Sequence, residues 1–467
     1  MNVELHTQHH DAGATFDIVK DHIEQSFNLR AFAAAMRVPS ASPLQLAVYE
    51  KPLSFRDYPG FSPTFFGAPG EGVVPTQLDR LAVPGALAVF DKREDLHQPG
   101  HNYKIHGARF ALLNMLSNAP EARIAATGSA GNHAISLAVA VQQINSLLPA
   151  KLRKQAHAYC RRDISPIKEE RLHRLGAVVH AEHGTLEEAL SHAEADAKRQ
   201  DEAILIPPFD HPLVIAGQAL LTFTTFAQLK NKGVDLRNTN FLAYEPVGGG
   251  GKAAGAAFAM KTLIEWGVLG EESAVVGVEV EQNDSNARAL AGQPPLVPAA
   301  PGTAQGPDTL DTDCEGTATI ETGYFTLPVL RHFTDGISVI PKDFMVEACG
   351  KLMQAHNGTP PELAGALSLG GLLYDMESGK DSRYATHQIL TTTTGANISR
   401  ELLLKVATEC LDTETATVNA KVAALNIKRY AEGHEPLTAF KVSDPQERTH
   451  KASERPVLRV WRGMQNG

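Results

Sequence analysis

Short apolar runs alternate with amphipathic stretches through the middle of the chain. Residues 86–90 (ALAVF), the opening of RIAATG, 155–160 (QAHAYC), AVVHAE, ILIPPF, FLAYEP and AVVGVEV all read as strands, being brief, apolar and rich in β-branched or aromatic residues. Between them lie helical patterns. One follows the loop KREDLHQPGHNY and one follows SAGNHA. Others cover 165–175 from Pro166, 185–199, 213–229 and the small-residue stretch 253–260 (AAGAAFAM). Strands that alternate with helices in this way predict an α/β fold with mostly parallel sheets. Two glycine-bearing strand-to-helix turns lie more than a hundred residues apart, which predicts two sheet units facing one cleft. Before this region, Phe16, Val19, Ile23 and Phe27 recur at helical spacing and predict an amphipathic helix within 14–37. The Pro/Gly-rich stretches 39–75 and 292–309 read as loops. One further helix is expected near 399–426, followed by a polar tail.

Composition narrows the classes. Hydrophobic residues are 43% and charged residues 21% of the 467, ordinary for a globular chain and unlike a disordered one. A formal net charge of −10 argues against nucleic-acid partners, whose binding rests on neutralising phosphates. The four cysteines, Cys160, Cys314, Cys349 and Cys410, have no CxxC spacing, so a reducing, cytoplasmic setting is expected. No secretory signal and no run of ~18 apolar residues is visible, so no membrane partner is expected.

Four segments carry candidate chemistry. EPVGGGGKAAG places Gly248, Gly249, Gly250 and Gly251 between a strand and a helix. Such a turn bares backbone N–H groups at the positive end of the helix and suits a phosphate, with a mere close-packing loop as the second reading. TGSAGNHA (127–134) is a second such turn. Ser129, Gly131, Asn132 and His133 there are either carboxylate-binding donors or a helix cap. Lys104, in GHNYKIHGARF, read by itself is a solvated charge. Thr391 to Thr394 read as a strand with a hydroxyl at its end.

Their order joins them. A lysine, an Asn turn, a glycine cradle and a terminal hydroxyl match the aldehyde, phenolic oxygen, phosphate and pyridine nitrogen of pyridoxal 5′-phosphate. The chain resembles the fold-type II pyridoxal-phosphate enzymes, in the threonine/serine dehydratase branch that also contains serine racemases. The resemblance runs from about Val74 to about Ser399. It rests on KRED (92–95), the Lys104 segment, SAGNHA, PPFDHPLVIAGQ (207–218), EPVGGGGKAAG and TGAN, in that order. It implies a tryptophan-synthase-β-like α/β fold, two open domains with mostly parallel sheets flanking a cofactor cleft. The large cofactor-binding domain would comprise 74–110 and 217–400. A small α/β domain (111–216) would be inserted in it, with an N-terminal extension (1–73) and a C-terminal helix and tail (401–467) outside.

The same resemblance implies roles. Lys104 would be the Schiff-base lysine and the catalytic base. Gly248 to Gly251 would hold the phosphate, Asn132 would meet the phenolic oxygen and Thr394 the pyridine nitrogen. Ser129, Ala130, Gly131, Asn132 and His133 would receive the substrate carboxylate. Glu279, ending the strand after the glycine turn, would be a ligand of a monovalent or divalent cation. The implied activity is β-elimination from a small amino acid such as threonine or serine, giving a 2-oxo acid and ammonia, in a homo-oligomer (dimer or tetramer). β-Replacement by a second nucleophile and a cofactor-holding protein without turnover are the alternatives. Racemisation needs a second acid/base. Ala130 stands where the racemases carry Ser, which leaves Ser136 or Tyr103 to approach. Several flanks depart from the family pattern: Asn102-Tyr103 for Ser-Phe, Ile105-His106 for Leu-Arg, Ile135-Ser136 for Gln-Gly, Lys252 for an apolar residue, Thr394 for Ser, and Glu362-Leu363-Ala364-Gly365-Ala366 for EPSGA.

Overall fold

The structure, a computed structural model, describes residues 76–398 apart from 98, 130, 165, 200–201, 295, 297–313, 315, 321 and 357–359. The expected helices within 14–37 and 399–426, the stretch 39–75 and most of the loop 292–309 lie outside the described residues, as does Ala130.

Among the described residues, ten strands form two sheets. The larger has six in the order β1 (Leu78–Leu81), β2 (Ala88–Arg93), β10 (Gln388–Thr393), β7 (Phe241–Pro246), β8 (Ala274–Val280) and β9 (Ile337–Ile340). Only the β1–β2 pair is antiparallel; every other pairing in this sheet is parallel. The smaller sheet is wholly parallel, in the order β5 (Val178–His183), β4 (Gln155–Arg161), β3 (Ile124–Gly128) and β6 (Ala203–Leu205). Parallel strands need crossover helices, and these cover both sheet faces. That cover is why β7 and β8 read as mostly apolar runs, each interrupted by one glutamate, and are buried at every position. Alternation along β7 divides the core. Phe241 and Ala243 join the cluster that reaches the small sheet, while Leu242 and Tyr244 join a second cluster. Helix α9 (Lys342–Ala355) and helix α10 (Leu363–Ser378) pack in that second cluster.

Helix α1 (Lys104–Asn118) and helix α6 (Gly251–Glu265) sandwich helix α5 (Pro212–Asn231). Helix α5 is therefore apolar all round. By length and composition it could cross a membrane, yet 94% of its apolar window is buried inside the fold. Pro212 at its first turn and the His211 ring, which accepts from Leu213 N at 3.1 Å, start it.

The expected strand 86–90 is displaced to Ala88–Arg93. An apolar-run reading stops at the charges of KRED, but pairing with β10 carries the strand through them. Asp91, Lys92, Arg93, Glu94 and Asp95 are all buried, and they are matched from within. The Arg93 guanidinium donates two bonds to Asp95 at 2.8 and 2.6 Å, Lys92 Nζ donates to Gln228 Oε1 at 2.7 Å, and the His106 ring meets Glu94 at 2.8 Å. Strands β1 and β9, four residues each and at the two sheet edges, have patterns too short to announce themselves.

Candidate active site

The C-terminal ends of β3, β7 and β10 converge on one cleft of about 270 Å³. A crevice beyond the carboxyl ends of parallel strands is where such sheets bind ligands. Its lining includes Lys104, Ser129, Gly131, Asn132, His133, Gly248 to Gly251 and Thr394, so the segments singled out in the sequence meet in space.

Lys104 opens helix α1. Its Nζ donates to the Pro208 carbonyl at 3.1 Å. Burial draws its pKa down to about 8, opposed by the Glu362 carboxylate. The turn before it is held on three sides. Asn102 Oδ1 accepts from Lys104 N at 3.0 Å and from Ser136 Oγ at 2.9 Å, and Tyr103 N donates to the Thr394 carbonyl at 3.0 Å. Ser136 is thus engaged with Asn102 and is absent from the cleft lining, whereas Tyr103 lines it. Burial and the carboxylates of Glu362 and Glu245 push the Tyr103 phenol above its ordinary range.

The four-glycine turn needs its glycines. A Cβ on Gly249 would lie 2.2 Å from the Phe209 ring, and Gly250 has φ of 84° in the left-handed region. Side chains tie the turn's carbonyls away. Thr326 Oγ1 donates to Gly249 O at 2.8 Å and Asn286 Nδ2 to Gly248 O at 2.6 Å. The first N–H groups of helix α6 have no intrahelical partner and are what the turn presents. Asp210, beside Phe209, accepts from the N–H groups of Tyr324, Phe325 and Thr326 at 2.8, 2.8 and 3.1 Å, which joins the PPFDHP segment to the same support.

Glu279 lies outside the cleft lining. Its carboxylate is buried and accepts from Asn286 N at 3.1 Å, Asn286 Nδ2 at 2.9 Å and Ala287 N at 2.9 Å. It therefore fixes Asn286, which fixes Gly248. Among the described residues no group of three or more His, Cys, Asp or Glu side chains is arranged to hold a metal ion.

Asn132 opens helix α2 (Asn132–Leu147) and its amide is held from both ends. Nδ2 donates to Glu362 Oε1 at 2.5 Å, and Oδ1 accepts from Asn397 Nδ2 at 2.6 Å, while Arg171 donates to Asn397 Oδ1. One amide N–H of Asn132 remains for a ligand. His133 Nε2 donates to the Ile206 carbonyl at 3.1 Å, and burial pushes its pKa down to about 3, so the ring is neutral. Its Nδ1 is buried in the lining without a hydrogen-bond partner. Ser129 Oγ accepts from Gly131 N at 3.4 Å. Thr394 Oγ1, also buried, donates to the Ala364 carbonyl at 3.4 Å.

The sequence reading did not place three charged groups in this site. Glu362 sits between Asn132 and Lys104; the ELAGA segment was its only signal. Lys168, on helix α3 (Pro166–Arg174), reaches the Asn132 turn, where a Cβ on Gly131 would lie 3.5 Å from its Nζ. Lys252 pairs with the buried Glu245 and donates to Thr392 Oγ1 at 3.1 Å, so the lysine that follows the glycines is a neutralised floor beneath the cleft.

A family model described as pyridoxal-phosphate dependent enzyme matches residues 68–395. The L-threonine dehydratase biosynthetic IlvA of Pasteurella multocida (strain Pm70) is 28% identical over 363 residues, covering 76% of this chain and 63% of that protein. Its counterpart from Escherichia coli (strain K12) is 30% identical over 302 residues, covering 64% and 52%. The solved structure of the processed form of threonine deaminase isoform 2 from Solanum lycopersicum superimposes with a TM-score of 0.58 at 26% identity, over 71% of this chain and 87% of that one. The chain spans between about half and two thirds of the length of these two curated relatives.

Proposed function

Because the chain belongs to the family of pyridoxal-phosphate dependent enzymes, we propose that it deaminates a β-hydroxy or β-substituted amino acid such as threonine or serine to a 2-oxo acid and ammonia. The observation that carries this reading is the buried Lys104 amine, drawn down to about 8, in one cleft with the four-glycine turn.

The residues fit the cofactor. The glycine turn is a cradle that a Cβ at Gly249 would fill, and it ends on a helix N-terminus suited to a phosphate. The unpartnered His133 Nδ1 and the remaining Asn132 N–H supply an acceptor and a donor in the same cleft. Lys104 would hold the aldehyde carbon, Gly248 to Gly251 the phosphate, Asn132 the phenolic oxygen and Thr394 the ring nitrogen. When bound, pyridoxal phosphate supplies a carbonyl that condenses with amines and a conjugated ring that draws electrons from the substrate Cα.

Lys104 Nζ is the proton carrier of this reading. Burial gives it a neutral fraction near neutral pH, so it serves as the base for the Cα proton. Lys168 adds positive charge behind Gly131, where the substrate carboxylate would seat against Ser129 and Gly131. Glu362 orients Asn132 and keeps Lys104 from falling further in pKa. Thr394 brings a neutral hydroxyl, which does not hold a ring nitrogen protonated as a carboxylate would. That choice favours loss of the β-substituent over transamination.

The test is product analysis by mass spectrometry after the cofactor-loaded protein meets L-threonine or L-serine, beside Lys104→Ala. Lysine-dependent 2-oxobutyrate or pyruvate with equimolar ammonia is expected. A product that appears only when a second nucleophile is added would assign β-replacement instead, and no turnover of either amino acid would overturn this substrate class.

A further inference from the structure

On the small sheet, away from the cleft, β4 and β5 bring two imidazoles together. Tyr159 on β4 lies opposite His180 on β5, the edge strand, and His157 stands two residues before Tyr159 on the same face. His157 Nδ1 and His180 Nε2 are 3.2 Å apart. Two metal–nitrogen bonds of ~2.0–2.1 Å meeting at ~90–110° hold their nitrogens roughly 2.8–3.4 Å apart. The pair is thus already at the separation of two ligands on one ion.

Both rings are also aimed. His157 Nε2 faces Gln155 Oε1 at 3.2 Å, and an amide oxygen only accepts, so that nitrogen carries the proton. In the neutral ring the lone pair is then on Nδ1, which accepts from His180 Nε2–H in the metal-free protein; a bound ion takes that proton's place, and the proton moves to His180 Nδ1 or to solvent. A hydrogen bond from the far nitrogen is the usual way a ligating histidine is oriented. His180 stacks on the Tyr159 ring, with centroids 4.3 Å apart and planes 14° apart. The Tyr159 hydroxyl is in turn anchored to Asp196 at 2.6 Å. His157 and His180 are both half-buried, so the pair stays open to solvent on one side.

We propose that His157 Nδ1 and His180 Nε2 chelate a divalent d-block cation of the zinc, nickel or copper class, tying edge strand β5 to β4. Among the described residues no third His, Cys, Asp or Glu completes a set, so water fills the remaining positions and the ion exchanges readily. Copper binds more tightly than nickel or zinc at such a two-nitrogen site.

The test titrates nickel chloride into the cofactor-loaded protein, stripped of metal and of free cofactor, by calorimetry. The chain carries 19 histidines, so the comparison with variants identifies the site. His180→Ala and His157→Gln are each expected to remove one equivalent of binding, with circular dichroism unchanged. Gln155→Ala is expected to weaken that equivalent about tenfold while leaving its stoichiometry, an effect that chance binding to a single exposed ring would not show. Two histidine variants guard against one failing to fold. Equal stoichiometry and affinity in the parent protein and a folded histidine variant would overturn the proposal, as would a Gln155 variant that binds like the parent.

Discussion

Lys104 shows how burial makes a common side chain reactive. In water its amine would be almost wholly protonated at neutral pH; in the cleft desolvation brings the pKa to about 8, with only Glu362 opposing. The neutral amine is the nucleophile, so its fraction rises as pH rises and saturates above the folded pKa. Uptake of pyridoxal phosphate by the cofactor-free protein, followed by absorbance, should therefore accelerate about tenfold per pH unit up to about 8 and level off beyond it. Lys104→Arg should abolish it at every pH. A rate still climbing tenfold per unit between about pH 8 and 10 would mean an unperturbed lysine. At this scale the sequence was most informative about Asn132 and the glycines, whose turns stand out in their own segments; Lys104 read alone is a solvated charge, and only the resemblance singled it out. Glu362 has only the ELAGA segment to mark it, and its part in the site comes from its contact with Asn132, 230 residues away, and its charge near Lys104.

Among the elements, the strand–turn–helix of β7 and α6 is the most constrained. The turn carries a left-handed glycine at Gly250, a close approach to Phe209 at Gly249, and two carbonyls held by Thr326 and Asn286. Gly249→Ala would drive a methyl into the Phe209 ring. Overpacking of this kind costs about 1–3 kcal/mol, and the turn can relieve it only by opening the cradle. The expected outcome is a lower melting midpoint and a cofactor content after dialysis reduced at least tenfold. Gly249→Ala combined with Phe209→Ala, which clears the ring, should recover part of both. If the single variant keeps its full cofactor content, the close approach is not what shapes the site. Glu279 belongs to this scale too. Its strand-end position was legible, but its part was not, because the three N–H groups that surround it come from a helix start with no signature for it.

Across the whole molecule, the cleft takes its walls from both sheets. Ser129, Gly131, Asn132, His133 and Lys168 come from the small-sheet side, and Lys104, the glycine turn and Thr394 from segments around the large sheet. A ligand that touches both walls stabilises both. At a hundredfold excess over Kd the gain is about 2.7 kcal/mol, a shift of several degrees in Tm. Scanning calorimetry should show the cofactor moving the unfolding of both sheets upward together, with a smaller shift in Lys104→Ala. Two transitions of which only one responds would mean that one wall does not engage the cofactor.

The sequence by itself determined the elements and the reactive segments. Strand and helix differ in the period of their apolar positions, and a glycine turn or a buried-helix pattern is written within a dozen residues. The family resemblance added which chemistry those segments serve. Tertiary structure alone decided strand order, setting β10, from one end of the described chain, beside β2, from the other, with β7 on its far side. It alone buried the KRED charges, turned Glu279 inward as a support for Asn286 and Gly248, and brought Glu362 and Lys168 to the Asn132 turn. The reason is one of range. Local patterns record how each segment meets a core, while the identity of the partner across the cleft depends on which distant strands pair, and no single segment carries that information.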